Sequence, residues 1–308
     1  MRIEPSFPQR QKGIAVITAI LVAALVASLA FALSARERQW LNLVSNRNDL
    51  AAAGSSARSA IDLARLTLRD DMRNNQSDHL LEAWTVPVPP INVEEGKVGG
   101  RLIELQGRFN LYNLQSGGKV SEEGLVALQR LLTTRNLSTG WAEKLAEAMA
   151  SQVALWQKTQ KADATAARLT SKILLVANLS ELAELAGLDP EKMAALEPLV
   201  TSLPDATSVN ANFAPPEVLM AVTPGLSIRE AERLVSRRVA TPFKSGQDFV
   251  NALPESIRHT TKPANYTVES QYFIAESEAW FGRAHLQLQA LLYRQRGKVP
   301  DILWIRRV

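Results

Sequence analysis

The chain has 308 residues, 46% of them hydrophobic and 21% charged, a globular composition that excludes disorder along its whole length. Its 35 basic and 31 acidic residues leave a net charge of +4, too small an excess to argue for a nucleic-acid partner. With no cysteine there is no disulfide, thiolate metal site or cysteine nucleophile, and three scattered histidines (His79, His259, His285) supply little for a Ser–His triad or a transition-metal centre.

The first element is an apolar run over residues 14–33, in which Thr18 and Ser28 are the only polar members. Twenty helical residues span roughly 30 Å, the thickness of a bilayer's hydrocarbon core, so this run predicts a membrane-spanning helix. Arg2, Arg10 and Lys12 precede it against the single acid Glu4, while Arg36, Glu37 and Arg38 follow. That bias keeps the start in the cytoplasm and sends the rest of the chain across the membrane. Three readings of the segment compete. A cleaved secretory signal has small-residue sites at Ala32-Leu33-Ser34 and Ser28-Leu29-Ala30. A plain signal anchor is the second. The junction Gln11-Lys12-Gly13-Ile14-Ala15-Val16-Ile17-Thr18, a basic leader ending in Gly before an uninterrupted apolar helix, resembles a prepilin signal. That resemblance implies cleavage after Gly13 and methylation of the new amine on Ile14.

From Arg36 to about Arg73 there is no proline, and Leu43, Leu50, Ala57 and Ala64 recur every seven positions, as do Gly54, Ile61 and Leu68. This predicts an amphipathic helix packing its stripe on its own domain; the resemblance to prepilins implies that it continues the apolar helix. Beyond it, Ser121 caps a helix carrying Leu125, Leu128 and Leu132, and Trp141, Leu145, Met149, Val153 and Trp156 mark one face of the next. Asp189-Pro190 reads as an N-cap with proline at the first helical position. Ser227 with Glu230 and Ser245 with Asp248 fit capping boxes. Residues 119–263 therefore read as helical, without strand-like alternation of quality. Ala284, Leu286, Leu288, Ala290 and Leu292 alternate with His285, Gln287 and Gln289, a half-buried strand, with Tyr272–Trp280 and Ile302–Arg306 as its antiparallel neighbours.

No enzyme motif stands out. Gly99-Gly100 and Gly117-Gly118 read as turns, because neither a P-loop nor a dinucleotide fingerprint follows a strand. The carboxylate pairs Asp70-Asp71, Glu94-Glu95 and Glu122-Glu123 are adjacent in sequence, so on a helix they diverge by about 100° and cannot face each other. Residues 212–253, with Thr223-Pro224-Gly225-Leu226-Ser227 and Arg233, Arg237 and Arg238, look like a helix-hairpin-helix module. In DNA-binding versions the hairpin N–H groups grip phosphates. Here Ser227 replaces the second hairpin glycine and Glu230 and Glu232 stand close by, which favours a structural module.

The Glu82-Ala83-Trp84 element, the stretch Gly107-Arg108-Phe109-Asn110-Leu111-Tyr112-Asn113-Leu114 and the later Asn210-Ala211-Asn212 with Ala214 and Leu219 carry a broader resemblance. Over nearly its whole length the chain is similar to the general secretion pathway protein K family, the large minor pseudopilins of type II secretion. The resemblance implies an α+β fold, a pilin-like scaffold (long N-terminal helix on a small antiparallel sheet) with a large inserted helical domain. It divides the chain into a leader 1–13, a transmembrane half-helix 14–34, scaffold 35–118, helical insert 119–263 and completing strands 264–308. It implies a non-enzymatic subunit without cofactors, anchored once in the inner membrane with its globular part in the periplasm. The implied partners are two smaller minor pseudopilins in a tip complex, the major pseudopilin, the prepilin peptidase and secreted substrates; nucleic acid is not among them.

Most pilins and pseudopilins place a glutamate fifth after the cut, where this chain has Thr18. A carboxylate in lipid is costly unless it pairs, and its partner is the free amine of a neighbouring subunit. A subunit with Thr18 offers no such charge, which suits a tip position. The family's acidic run around its tryptophan, suited to calcium, is here Ala154-Leu155-Trp156-Gln157-Lys158-Thr159-Gln160. These residues lack the carboxylates a hard cation needs, and Lys158 and Lys161 repel it. Asp163, Asp189 and Asp205 remain, without a recognisable loop spacing. Two alternatives stay open: a type IV pilus minor pilin, and a membrane-anchored helix-hairpin-helix DNA-binding protein.

Overall fold

The computed structural model describes residues 12–93, 95–162 and 179–308. One helix, α1 (Lys12–Asn74), combines the two helices expected from the sequence into 63 residues, about 95 Å at 1.5 Å per residue. It contains the one described helix long and apolar enough to cross a membrane. The expected stripe is used only in its second half. Ala53, Ala57, Ile61 and Leu68 are buried, and Ala64 partly, against the sheet described below. Leu43 and Leu50 instead stay exposed, because the sheet ends beside Asp49, where Arg283 N–H approaches the Asp49 carboxylate at 3.4 Å. Everything on α1 before that level projects beyond the globular part.

The sheet holds β1 (Val88–Val93), β2 (Gly96–Glu104), β3 (Tyr272–Phe281), β4 (Ala284–Tyr293) and β5 (Asp301–Arg307), antiparallel throughout and in that spatial order. The C-terminal meander is the expected one, and its alternation lays Phe273, Ala275, Leu286, Leu288 and Ala290 on α1. Gly99 and Gly100 are not a turn. They lie within β2, where a Cβ on Gly100 would stand 2.4 Å from the Glu276 carbonyl of β3. Glycine is read there through close backbone approach, a signal that looks the same as a turn in sequence. Gly117 and Gly118 do turn the chain, with φ of +60° and +78°.

Between β2 and β3 the chain leaves the sheet and builds a second core. Its main helices are α2 (Glu122–Thr134), α3 (Gly140–Ala162), α4 (Leu179–Leu185), α5 (Pro190–Ala194), α6 (Pro216–Val222), α7 (Ile228–Ala240), α8 (Gly246–Asn251) and α9 (Glu255–Arg258). Leu128 and Leu132 of α2 meet Leu145, Met149 and Val153 of α3 in this core, as their spacing requires. The expected caps form: Ser121 Oγ accepts from Gly124 N–H, and Asp189 Oδ1 from Glu191 N–H at 3.0 Å. Ser227 and Glu230 complete a capping box on α7. At α8 only half the box closes, because the Asp248 carboxylate returns to Lys244 N–H rather than to Ser245. Ser227→Ala should lower stability by about 1 kcal/mol, read from the urea midpoint.

The insert is not wholly helical. Phe109–Asn110 pairs in parallel with Val200–Thr201, and Val209–Asn210 with Tyr266–Thr267. These bridges of two residues are too short for any alternation to mark them in the sequence.

Candidate assembly site

Two regions of the molecule carry the residues singled out in the sequence. The first is the free half of α1. Gly13 lies in its first turn and Ile14, Val16 and Ile17 are exposed; residues 1–11 of the leader lie outside the described residues. Thr18 Oγ1 turns back on its own helix, 3.0 Å from both the Ile14 and Ala15 carbonyls. The hydroxyl is thereby satisfied within the helix and presents no charge outward. From Ile14 to Leu33 the large side chains stand free, so their apolar surface is available to lipid or to other helices.

The second region is a buried polar junction where the insert meets the scaffold. Arg294, directly after β4, is 1% exposed. Its Nη1 donates to Asp71 Oδ2 at 3.2 Å, its Nη2 to Asp78 Oδ2, and both Nε and Nη2 to the Ser270 carbonyl. The guanidinium also lies 4.7 Å from the centre of the Phe273 ring. Adjacent Asp70 and Asp71 diverge as expected, Asp70 pairing with Arg69 on the surface and Asp71 turning inward. The Glu82–Trp84 element closes on itself, Trp84 Nε1 donating to Glu82 Oε2 at 2.9 Å. The Trp84 indole then packs on Phe213 of the insert and edge-on to Phe273 of β3.

The asparagines of the two longer motifs serve as backbone staples. Asn110 Oδ1 accepts from Tyr112 and Leu203 N–H, while its Nδ2 reaches the Asp205 carbonyl. Asn113 exchanges two hydrogen bonds with the backbone of Thr207. Asn212 does the same with Phe243 and also donates to the Asp78 carbonyl. Asn210 Nδ2 donates to Ser270 Oγ, which in turn bonds Glu104 Oε1. Such side chains satisfy buried backbone groups that lack ladder partners. Asn212→Ala would leave the Phe243 N–H and carbonyl and the Asp78 carbonyl unpaired. It should destabilise the protein by about 2–3 kcal/mol, measured by thermal melting in detergent.

Two carboxyls of the junction are displaced from their ordinary range. Glu104 is fully enclosed, and burial pushes its pKa up to about 7, against three hydrogen bonds from Ser270, Gly107 and Gln106. Burial likewise raises Glu82 to about 7, and raises Asp78 against the pull of Arg294. Asp71, Asp78 and Glu82 place one oxygen each within 4.8 Å of one another. A metal does not fit this group well, since Arg294 already holds the positive charge among these carboxylates. Asn75, His79 N–H and Trp84 donate to Glu82, and three ligands fall short of the 6–8 oxygens that calcium takes. The sequence marked Asp71 and Glu82 separately but not their meeting with Arg294, which lies 223 positions from Asp71. Of the acids named above, Asp163 and Glu94 lie outside the described residues, Asp189 caps a helix and Asp205 accepts from the Tyr272 hydroxyl.

In the hairpin between α6 and α7, the Ser227 N–H and hydroxyl both bond the Glu230 carboxylate. Arg238 is buried on the Ala211 and Ala214 carbonyls, and Arg237 lies over the Phe243 ring. Arg233 stands on the surface, and among the described residues it makes no such engagement. Leu219, Leu226, Leu234 and Phe243 of the module are buried in the core of the insert.

A long helix laid on a small antiparallel sheet, with an apolar extension before it and a second core inserted between two strands, defines a pilin-like subunit carrying a helical insert. Family models described as type II secretion system (T2SS), protein K, match residues 107–205 and 209–268. The type II secretion system protein K of Pseudomonas aeruginosa is 30% identical, the match covering 94% of this chain and 90% of that protein. The protein of the same description from Klebsiella pneumoniae is 28% identical, with 93% of each chain covered. In fold, the chain is similar to one in the crystal structure of the GspK-GspI-GspJ complex from the enterotoxigenic Escherichia coli type 2 secretion system. That match has a TM-score of 0.62 and 18% identity, covering 85% of this chain and 98% of the other. The chain belongs to the type II secretion system protein K family.

Proposed function

We propose that this protein is a non-enzymatic minor pseudopilin that sits at the tip of the type II secretion pseudopilus and starts or caps its assembly. The observation that carries the reading is the free half of α1, an exposed apolar helix in which Thr18 closes its hydroxyl on its own backbone. Such a helix has two uses, retention in a bilayer and packing against like helices of other subunits. Without a carboxylate at Thr18 the subunit cannot pair with the amine of a subunit above it. It therefore suits the end of a filament, and the bulky insert suits the same place.

The processing that follows from this reading is cleavage after Gly13 by a prepilin peptidase, with methylation of the Ile14 amine. The chain is then held once in the inner membrane, with its globular part in the periplasm. Two smaller minor pseudopilins are its partners, a reading supported by the GspK-GspI-GspJ complex, which contains a protein of similar fold. The major pseudopilin lies below them, and secreted proteins are the cargo.

The test is the intact mass and N-terminal sequence of the protein extracted from membranes of a host with its prepilin peptidase. A start at Ile14 with one added methyl is expected, and Gly13→Val should leave the leader in place. A start near residues 31–36 would end the assembly reading. Recovery of the processed protein without any other minor pseudopilin would end the tip assignment.

A further inference from the structure

The sheet face turned away from α1 bears two neighbouring rungs. One is apolar and runs Ile103, Ile274, Leu291, Trp304 across β2 to β5. Two residues along each strand runs Arg101, Glu276, Gln289, Arg306. Its side chains form one line of hydrogen bonds. Arg101 Nε donates to Glu276 Oε2, Gln289 Nε2 to Glu276 Oε1 at 2.7 Å, and Arg306 Nε and Nη2 to Gln289 Oε1 at 3.0 and 2.8 Å. Arg306 also stacks over Trp304, 4.9 Å from the ring centre.

The insert overhangs these rungs without filling the space. A cleft of about 440 Å³ remains between the sheet and residues 197–202, and Arg108 reaches into it from the insert side. The Arg108 guanidinium donates to the Glu197 carbonyl at 3.3 Å. Among the described residues neither Arg108 nor Arg306 is ion-paired; the Glu276 carboxylate is taken by Arg101 and Gln289, and Glu197 also lines the cleft. Three arginines, Arg101, Arg108 and Arg306, and two glutamates, Glu197 and Glu276, line the cleft, which leaves an excess of one positive charge.

We propose that this cleft binds an extended, carboxylate-bearing peptide segment of a partner protein. Its carboxylate meets Arg108 and Arg306, the pairing geometry that guanidinium groups favour. An apolar side chain rests on Ile274 and the Trp304 ring. A peptide fits better than a small anion because the cleft opens beside β5. That strand ends the sheet and has no proline from Asp301 to Arg307, whereas the opposite edge, β1, carries Pro89 and Pro90. The backbone of β5 can therefore pair with an extended chain, the mode of strand addition. This assignment concerns the outer sheet face and is independent of the tip reading, which rests on α1.

The test pans a random hexapeptide phage library against the full-length protein in detergent micelles and measures the selected peptides by fluorescence anisotropy. The expected consensus has Asp or Glu next to an aliphatic or aromatic residue. Arg306→Glu, at an exposed position, should weaken binding about tenfold or more, as should Arg108→Gln. Arg229→Glu, on α7 and not among the residues that line the cleft, should not change it. A consensus without acids, the absence of any consensus, or equal binding to the Arg306→Glu protein with an unchanged melting temperature would overturn the proposal. Displacement of the peptide by inorganic phosphate at equal concentration would assign the cleft to small anions instead.

Discussion

Arg294→Met is expected to cost about 3–5 kcal/mol of folding stability, the largest loss of any single substitution considered for this protein. Methionine retains much of the volume and can still lie against Phe273, so the loss is electrostatic rather than a cavity. It leaves Asp78 and Asp71 facing each other without the cation between them, and it strips two donors from the Ser270 carbonyl. A buried charge that loses its partner carries its full desolvation penalty. Loss of this size approaches the whole stability of many domains, so the variant should accumulate poorly and melt early in detergent. The double replacement Arg294→Met with Asp78→Asn should recover part of the loss, because it removes the stranded charge as well. An unchanged melting temperature in the single variant would mean that water reaches the junction in solution and screens its charges.

Stability should also fall as the pH rises from about 5 to about 8, and Glu104 should account for much of that fall. Its carboxyl has a pKa of about 7 when folded, against an ordinary value of 4.5. Between those values the folded chain holds a proton that the unfolded chain has released. Unfolding then releases protons, and raising the pH favours it. The stabilising proton is fully present below the unfolded value and is lost as the pH passes through the folded one. For a group this buried the change comes to about 3 kcal/mol over the window. Glu82, also raised to about 7, adds a contribution of the same sign.

Glu104→Gln separates the groups. Its carbonyl oxygen can accept from Gln106 N–H and Ser270, but its amide would meet the Gly107 N–H donor to donor. The variant should therefore be about 1–2 kcal/mol less stable at pH 5, and nearly as stable as the parent or more so at pH 8. Guanidinium melts at several pH values give both slopes. Parallel slopes would show that Glu104 is ionised throughout and that the pH dependence lies elsewhere.

The two ends of the chain were the easiest to read from sequence. The apolar run, the helix after it and the C-terminal strands have patterns of 3.6 and 2 residues that local physics imposes. The caps at Ser121, Asp189 and Ser227 were legible for the same reason, since a cap is made within four residues. The stripe at Leu43 and Leu50 misled in part, because periodicity marks a helix face but not where its partner sheet stops. The double glycine of β2 misled fully, since a turn and a close backbone approach make the same demand on a side chain. The motif asparagines were visible as residues, yet their function as staples depends on segments about 95 positions away. Arg294 and Glu104 had no local signature at all. A charged residue just past an apolar strand usually reaches water, and only the returning insert encloses these.

The insert leaves the sheet after Glu104 and returns to it at Ser270, two residues that touch although 166 positions separate them. This bears on how the chain folds. Pairing β2 with β3 from an open chain means closing a very long loop, with an entropy cost that must be met before any ladder bond rewards it. Collapse of the insert's own core draws its exit and entry together and shortens that loop to a few residues. The scaffold's central strand pair therefore depends on prior order in a segment that is no part of the sheet. Damage deep in the insert, far from α1, should then appear as slow or failed closure of the pilin-like half.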